Sequence, residues 1–74
     1  SMTALETLKK FDEFCHGLWS IERPLTKVSS GEMKRWFKNK AVIINGSPVD
    51  AFDEIEYLDS LVLFPSGKRK TTLW

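Results

Sequence analysis

The sequence predicts a single α+β domain: two N-terminal helices followed by a small, mainly antiparallel sheet. Three observations predict it. Apolar residues recur at three- and four-residue steps within residues 3–18 and again within 33–37, the period of a helix with one buried face. From residue 41 onward the pattern changes to short β-branched or apolar runs separated by Asn-Gly and Pro-Ser-Gly turn signals. The length of 74 residues leaves room for one domain, with no repeat and no linker long enough to divide it.

The first helix is expected over residues 3–18. Thr3-Ala4-Leu5-Glu6 fits a capping box, in which Thr3 and Glu6 each satisfy a backbone N–H that the helix leaves unpaired. Leu5, Leu8, Phe11, Phe14, Cys15 and Leu18 form its apolar stripe, and Pro24 stops whatever remains. Leu18, Trp19 and Ile21 then help cover the core from a connecting segment. A second capping box, Ser29-Ser30-Gly31-Glu32, opens a short helix ending around Asn39 or Lys40. Its Met33, Trp36 and Phe37 lie opposite Lys34, Arg35 and Lys38, so one face is apolar and the other basic.

Residues 41–44 read as a strand, and Asn45-Gly46 as the tight turn after it. Pro48 keeps the returning strand short, at an edge. Ile55 and Tyr57 are expected in a brief strand, residues 61–64 in a stronger one, and residues 65–67 in a turn. Residues 68–74 then return as the last strand, whose alternation puts Lys68 and Lys70 on one face and Arg69 on the other. Ser1 before Met2 looks like a scar of tag removal and is left out of the expected fold.

Composition excludes several functions. A single cysteine, Cys15, rules out an internal disulfide framework and a cysteine-rich zinc site, and a single histidine, His16, argues against a histidine metal centre. Neighbours in a helix diverge by about 100°, so Cys15 and His16 do not form a nucleophile and base. No nucleophile elbow or phosphate-cradling glycine loop is present. No catalysis, cofactor or metal is therefore expected. The longest uncharged runs, residues 41–49 and 60–67, fall far short of the roughly 18 residues of a membrane span. No secretory signal opens the chain, and the expected compartment is the cytoplasm.

Charge is arranged in blocks. Residues 24–49 carry Lys27, Lys34, Arg35, Lys38 and Lys40 against Glu32 alone. Residues 50–60 hold Asp50, Asp53, Glu54, Glu56 and Asp59 with no base, and Lys68, Arg69 and Lys70 follow. Two basic blocks that meet in space would form a patch for a polyanion. The acidic block fits no calcium loop and is expected to be a solvated loop pointing away from that patch.

The stretch SSGEMKRWFKNKAVIING, from Ser29 to Gly46, resembles the signature of the S-four RNA-binding domain, whose core is also called the αL motif. That module is named after the bacterial small-subunit ribosomal protein and recurs in the C-terminal part of bacterial tyrosyl-tRNA synthetases. Leu58-Asp59-Ser60-Leu61 is similar to the family's Gly-Asp-x-Ile turn, and the tail from Gly67 to Trp74 to its Gly-Lys-Lys ending. The likeness covers about residues 25–74. The chain departs from the pattern at Ser30, where the family usually has an RNA-touching arginine, and at Lys40, where a glycine commonly closes the helix.

The resemblance implies a non-catalytic module that binds structured RNA of the rRNA or tRNA class. Lys27, Lys34, Arg35, Lys38 and Lys40 would lie along phosphates, the helix start at Ser29 and Ser30 would suit another, and Lys68, Arg69 and Lys70 would reach from the hairpin. With about five phosphates engaged, log K would fall against log salt with a slope near −4. Two alternatives stay open: a protein-binding adaptor or inhibitor on the same fold that has lost the RNA surface, and an RNA-binding domain cut from a larger enzyme. Exposed tryptophans at Trp19 or Trp74 would suit either a base or a protein partner.

Overall fold

The computed structural model describes residues 1–15 and 28–74. Helix α1 (Ala4–Cys15) starts at the expected capping box. The Thr3 N–H donates to Glu6 Oε1 at 2.8 Å, and the Glu6 N–H donates to Thr3 Oγ1 at 3.1 Å. The next two free donors of the helix are met from far along the chain. Ala4 N–H donates to the Asp53 carbonyl and Leu5 N–H to the Ala51 carbonyl, both at 2.8 Å. Every N–H from Thr3 to Glu6 is thus paired, which lets this helix end sit buried at Ala4 and Leu5.

The same loop also pairs with the residues before the helix. Strand β1 (Met2–Thr3) runs antiparallel to β4 (Glu54–Ile55), with Met2 opposite Ile55. Ser1 Oγ donates to Glu54 Oε1 at 2.7 Å, so Ser1 and Met2 belong to the fold, contrary to the expectation for Ser1. The brief strand of the acidic block is Glu54–Ile55, one residue earlier than expected, and Tyr57 lies outside it, exposed.

Helix α2 (Ser30–Lys38) has Ser29 as its N-cap, as read, with Glu32 N–H donating to Ser29 Oγ at 3.2 Å. Strands β2 (Val42–Ile44) and β3 (Ser47–Pro48) form a hairpin. Its two turn residues, Asn45 (φ 54°) and Gly46 (φ 87°), both take the left-handed region, as a type I′ turn demands. Strand β5 (Leu61–Leu63) lies antiparallel on the other side of β2, and β6 (Thr71–Thr72) beyond it, in the order β3-β2-β5-β6. All four strands are antiparallel and follow the helices in sequence, the α+β class expected.

Alternation on the central pair turns Val42, Ile44, Leu61 and Leu63 inward, where they meet Leu8 of α1 and Met33 and Phe37 of α2. Leu5 and Leu8 take the buried positions expected of α1, with Phe11 half-buried beside them. The expectations for the side chains of Phe14 and Cys15, and for His16, Leu18, Trp19, Ile21 and Lys27, lie outside the described residues.

The C-terminal part differs from expectation. Strand β5 stops at Leu63, and the last strand is only Thr71–Thr72. Gly67 N–H donates to the Phe64 carbonyl and Lys70 N–H to the Gly67 carbonyl, both at 3.2 Å, which folds residues 64–70 into consecutive turns. Lys68, Arg69 and Lys70 therefore do not alternate across a strand. They occupy the tight loop between β5 and β6.

One side chain sets how the sheet is joined to its loops. Asn45 Nδ2 donates to the Tyr57 carbonyl at 2.9 Å, while its Oδ1 accepts from the Asp59 N–H and from the Ser60 N–H at 3.1 Å. Its own N–H donates to the Ser60 carbonyl at 2.9 Å. Asn45→Ala removes three side-chain bonds and the residue type that tolerates φ 54°, and should cost about 2–3 kcal/mol, read as a lower urea midpoint with unchanged slope. Asn45→Asp keeps the acceptor for Asp59 and Ser60 and should fall between the two.

Glu6 gives a pH dependence. The Thr3 N–H bonded to its carboxylate, reinforced by the Thr3 hydroxyl and by Lys9 and Lys10, holds Glu6 below the ordinary glutamate value of 4.5. A carboxylate lowered by folding stabilises the protein above that value, and the stabilisation is lost as pH falls through the lower folded value. Glu6→Gln should therefore flatten the acid side of a melting-temperature profile below about pH 4.5 and leave its neutral part parallel to the parent's.

Candidate nucleic-acid interface

The helical period sorts α2 as expected. Met33, Trp36 and Phe37 are buried, and Lys34, Arg35 and Lys38 are exposed on the opposite side. Ser29 and Ser30 are exposed at the start of the helix, with the Ser29 hydroxyl committed to the cap. Lys34 Nζ lies 5.7 Å from the ring centroid of Phe52, an exposed aromatic of the acidic loop. That loop flanks the beginning of the basic helix at Phe52 and does not simply point away from it.

Lys40 is exposed and has a structural task besides its charge. Its φ of 58° is left-handed, and it stands where a helix-ending glycine is usual. Lys40 N–H donates to the Phe37 carbonyl at 3.0 Å and Ala41 N–H to the Trp36 carbonyl at 2.8 Å. This is the paired hydrogen-bond pattern of a Schellman motif with Lys40 at its left-handed position. It closes α2 and turns the chain directly into β2.

The second basic block is tied to this end of α2 through Phe64. Phe64 N–H donates to the Ala41 carbonyl at 2.8 Å, one step past the β2–β5 ladder. Its φ of 54° then takes the chain out of the sheet and brings its ring against Trp36, edge to face, with centroids 5.0 Å apart at 76°. A left-handed phenylalanine costs about 1–2 kcal/mol, and the ring contact with a nearly buried tryptophan offsets it. On Phe64 rests Arg69, its Cζ 4.4 Å from the ring centroid. The turn that holds exposed Lys68, Arg69 and Lys70 is thereby anchored beside the helix end that holds Lys38 and Lys40.

The structure therefore joins the turn of residues 68–70 to the C-terminal end of α2 through Phe64, Trp36 and Ala41. Lys34 lies nearer the acidic loop, and Lys27 falls outside the described residues. Sequence reasoning missed Phe64 and Phe52. The turn signal of Pro65-Ser66-Gly67 marks that the chain reverses, yet nothing in it marks the residue before the proline as left-handed. Trp36 is core, as read. Trp74 is exposed, with its ring edge-on to Phe11 at 6.3 Å.

Among the described residues no group of three or more His, Cys, Asp or Glu side chains is placed to hold a metal ion, and no helix is long and apolar enough to cross a membrane. Searches with the chain against protein-family models, curated proteins and solved structures find no significant match.

Lys40→Gly should relieve the left-handed strain at the end of α2. The expected gain is about 1 kcal/mol, a rise of about 4–8 °C in Tm by calorimetry, even though a surface charge is lost.

Proposed function

We propose that this chain is a non-catalytic module of the S-four type that binds structured RNA in the cytoplasm. One observation carries this reading: the Trp36–Phe64–Arg69 series fixes the basic turn beside the basic end of α2. Two cationic segments far apart in sequence are thus tied to each other through Phe64, which touches Trp36 and Ala41 of one and Arg69 of the other. Lys34, Arg35, Lys38, Lys40, Lys68, Arg69 and Lys70 are all exposed, as phosphate contacts must be. The sequence likeness from Ser29 to Gly46 supports the same reading, because its basic residues fall on the outer face of α2.

Such a surface tracks phosphates without reading bases, so binding would be modest in strength and steeply dependent on salt. A second reading is a protein-binding adaptor, favoured by exposed Phe52 and Tyr57 within the acidic loop. Aromatic residues bordered by carboxylates suit a basic protein partner.

Replacing Lys34, Arg35 and Lys38 together by alanine separates the two. An RNA-binding module should lose affinity for tRNA and for unrelated structured RNAs alike, with its salt slope falling from near −4 toward about −1 to −2. Titration at two salt concentrations, followed by tryptophan fluorescence, measures both. Absence of binding by the parent protein at low salt would overturn the RNA reading.

A further inference from the structure

We infer that Arg69 is a stacking platform for one unpaired RNA base, with the adjoining phosphates held by Lys68 and Lys70. The inference rests on the RNA reading above and adds to it a subsite for a single-stranded nucleotide.

A surface arginine is ordinarily a mobile point of charge. Arg69 is built differently. Its Cζ lies over the Phe64 ring, 4.4 Å from the centroid, and Phe64 in turn stands edge to face against Trp36, itself 8% exposed. The stack begins in the core and ends at the surface. Its base is held at the main chain as well, since the Arg69 carbonyl accepts from Thr71 Oγ1 at 2.8 Å. The Gly67 and Lys70 N–H groups close the turns on either side.

Arg69 is exposed and forms no ion pair with a described carboxylate. Phe64 is its one recorded side-chain partner among the described residues, and a planar, weakly hydrated cation is suited to carry another flat π system. Its five N–H donors lie in the plane of the guanidinium, where they would face the sugar and phosphates of a base stacked on it. Phe64 bears on the choice of ligand. A simple reversal at a left-handed position is served best by glycine, and a phenylalanine there supplies the ring on which Arg69 lies.

Every base has a π face, so this subsite selects an unpaired nucleotide without selecting its identity. A loop or bulge would fill it, and a continuous duplex would not. Stacking adds about five- to hundredfold in affinity for one base, and it resists salt where phosphate contacts do not.

The test uses an RNA hairpin with an unpaired loop and the same hairpin with abasic loop nucleotides, each titrated against the parent and Arg69→Lys. Lysine keeps the charge and loses the plane. The parent should prefer the intact loop about tenfold. Arg69→Lys should lose that preference while matching the parent on the abasic hairpin and in salt slope. If Arg69→Lys binds both hairpins as the parent does, Arg69 acts through charge alone and the stacking inference falls while the RNA reading stands. If the parent binds neither hairpin at low salt, both fall together. Phe64→Leu, which removes the ring and keeps the guanidinium, should show the same selective loss. Should that variant fail to fold, Arg69→Lys, altered only at an exposed position, still decides.

Discussion

The register of β2 on β5 is the constraint on which the rest of the molecule depends. Four inward side chains, Val42, Ile44, Leu61 and Leu63, belong to this pair, and a slip by one residue would turn all of them to the outer face. Three residues per strand are too few to set a register by pairing alone. It is pinned at both ends. Asn45 grips residues 57–60 at one end, and the Phe64 N–H meets the Ala41 carbonyl at the other. Both pins lie just outside the ladder, in side-chain and turn chemistry.

Among the described residues, the three non-glycine residues with positive φ sit at these same boundaries. Lys40 precedes β2, Asn45 follows it and Phe64 follows β5. Strain of this kind persists only where the surroundings determine the backbone more strongly than the residue does. For Asn45 the compensation is a set of hydrogen bonds, for Lys40 the closing bonds of α2, and for Phe64 two ring contacts. Short strands thus derive their definition from sharply bent ends, and two of those ends carry the basic residues of the candidate interface.

Much of this was legible in the sequence. Both capping boxes start the helices where the pattern places them, Asn45-Gly46 makes the expected hairpin, and the basic and apolar faces of α2 separate by the helical period. Each of these is a local rule, with its signal inside a few residues. The parts that were not legible depend on distant partners. Strand β1 has no period to read, and the bounds of β4 and β6, two residues each where strands were expected, are set by the segments alongside. The arrangement of residues 68–70 hangs on the backbone of Phe64, whose left-handed conformation no sequence rule assigns to a phenylalanine. The link between the two basic blocks was a condition the sequence posed and could not meet, because it runs through the contacts of Phe64 with Trp36 and Arg69.

The pairing of the N-terminal residues with the acidic loop bears on how the chain acquires its structure. Ser1 and Glu54 are 53 positions apart, and the first turn of α1 takes its hydrogen-bond acceptors from Ala51 and Asp53. On a ribosome, residues 1–5 emerge well before residues 51–55, the partners that complete them. Until residue 55 is available, α1 has only its own capping box to hold its start, too little for a helix of 12 residues in water. The local hairpin of β2 and β3 closes over a two-residue loop and can form at once, whereas docking of α1 closes a loop of most of the domain and bears its entropy. Assembly therefore runs from the β2–β3 hairpin outward, and residues 1–5 are the seal rather than the seed.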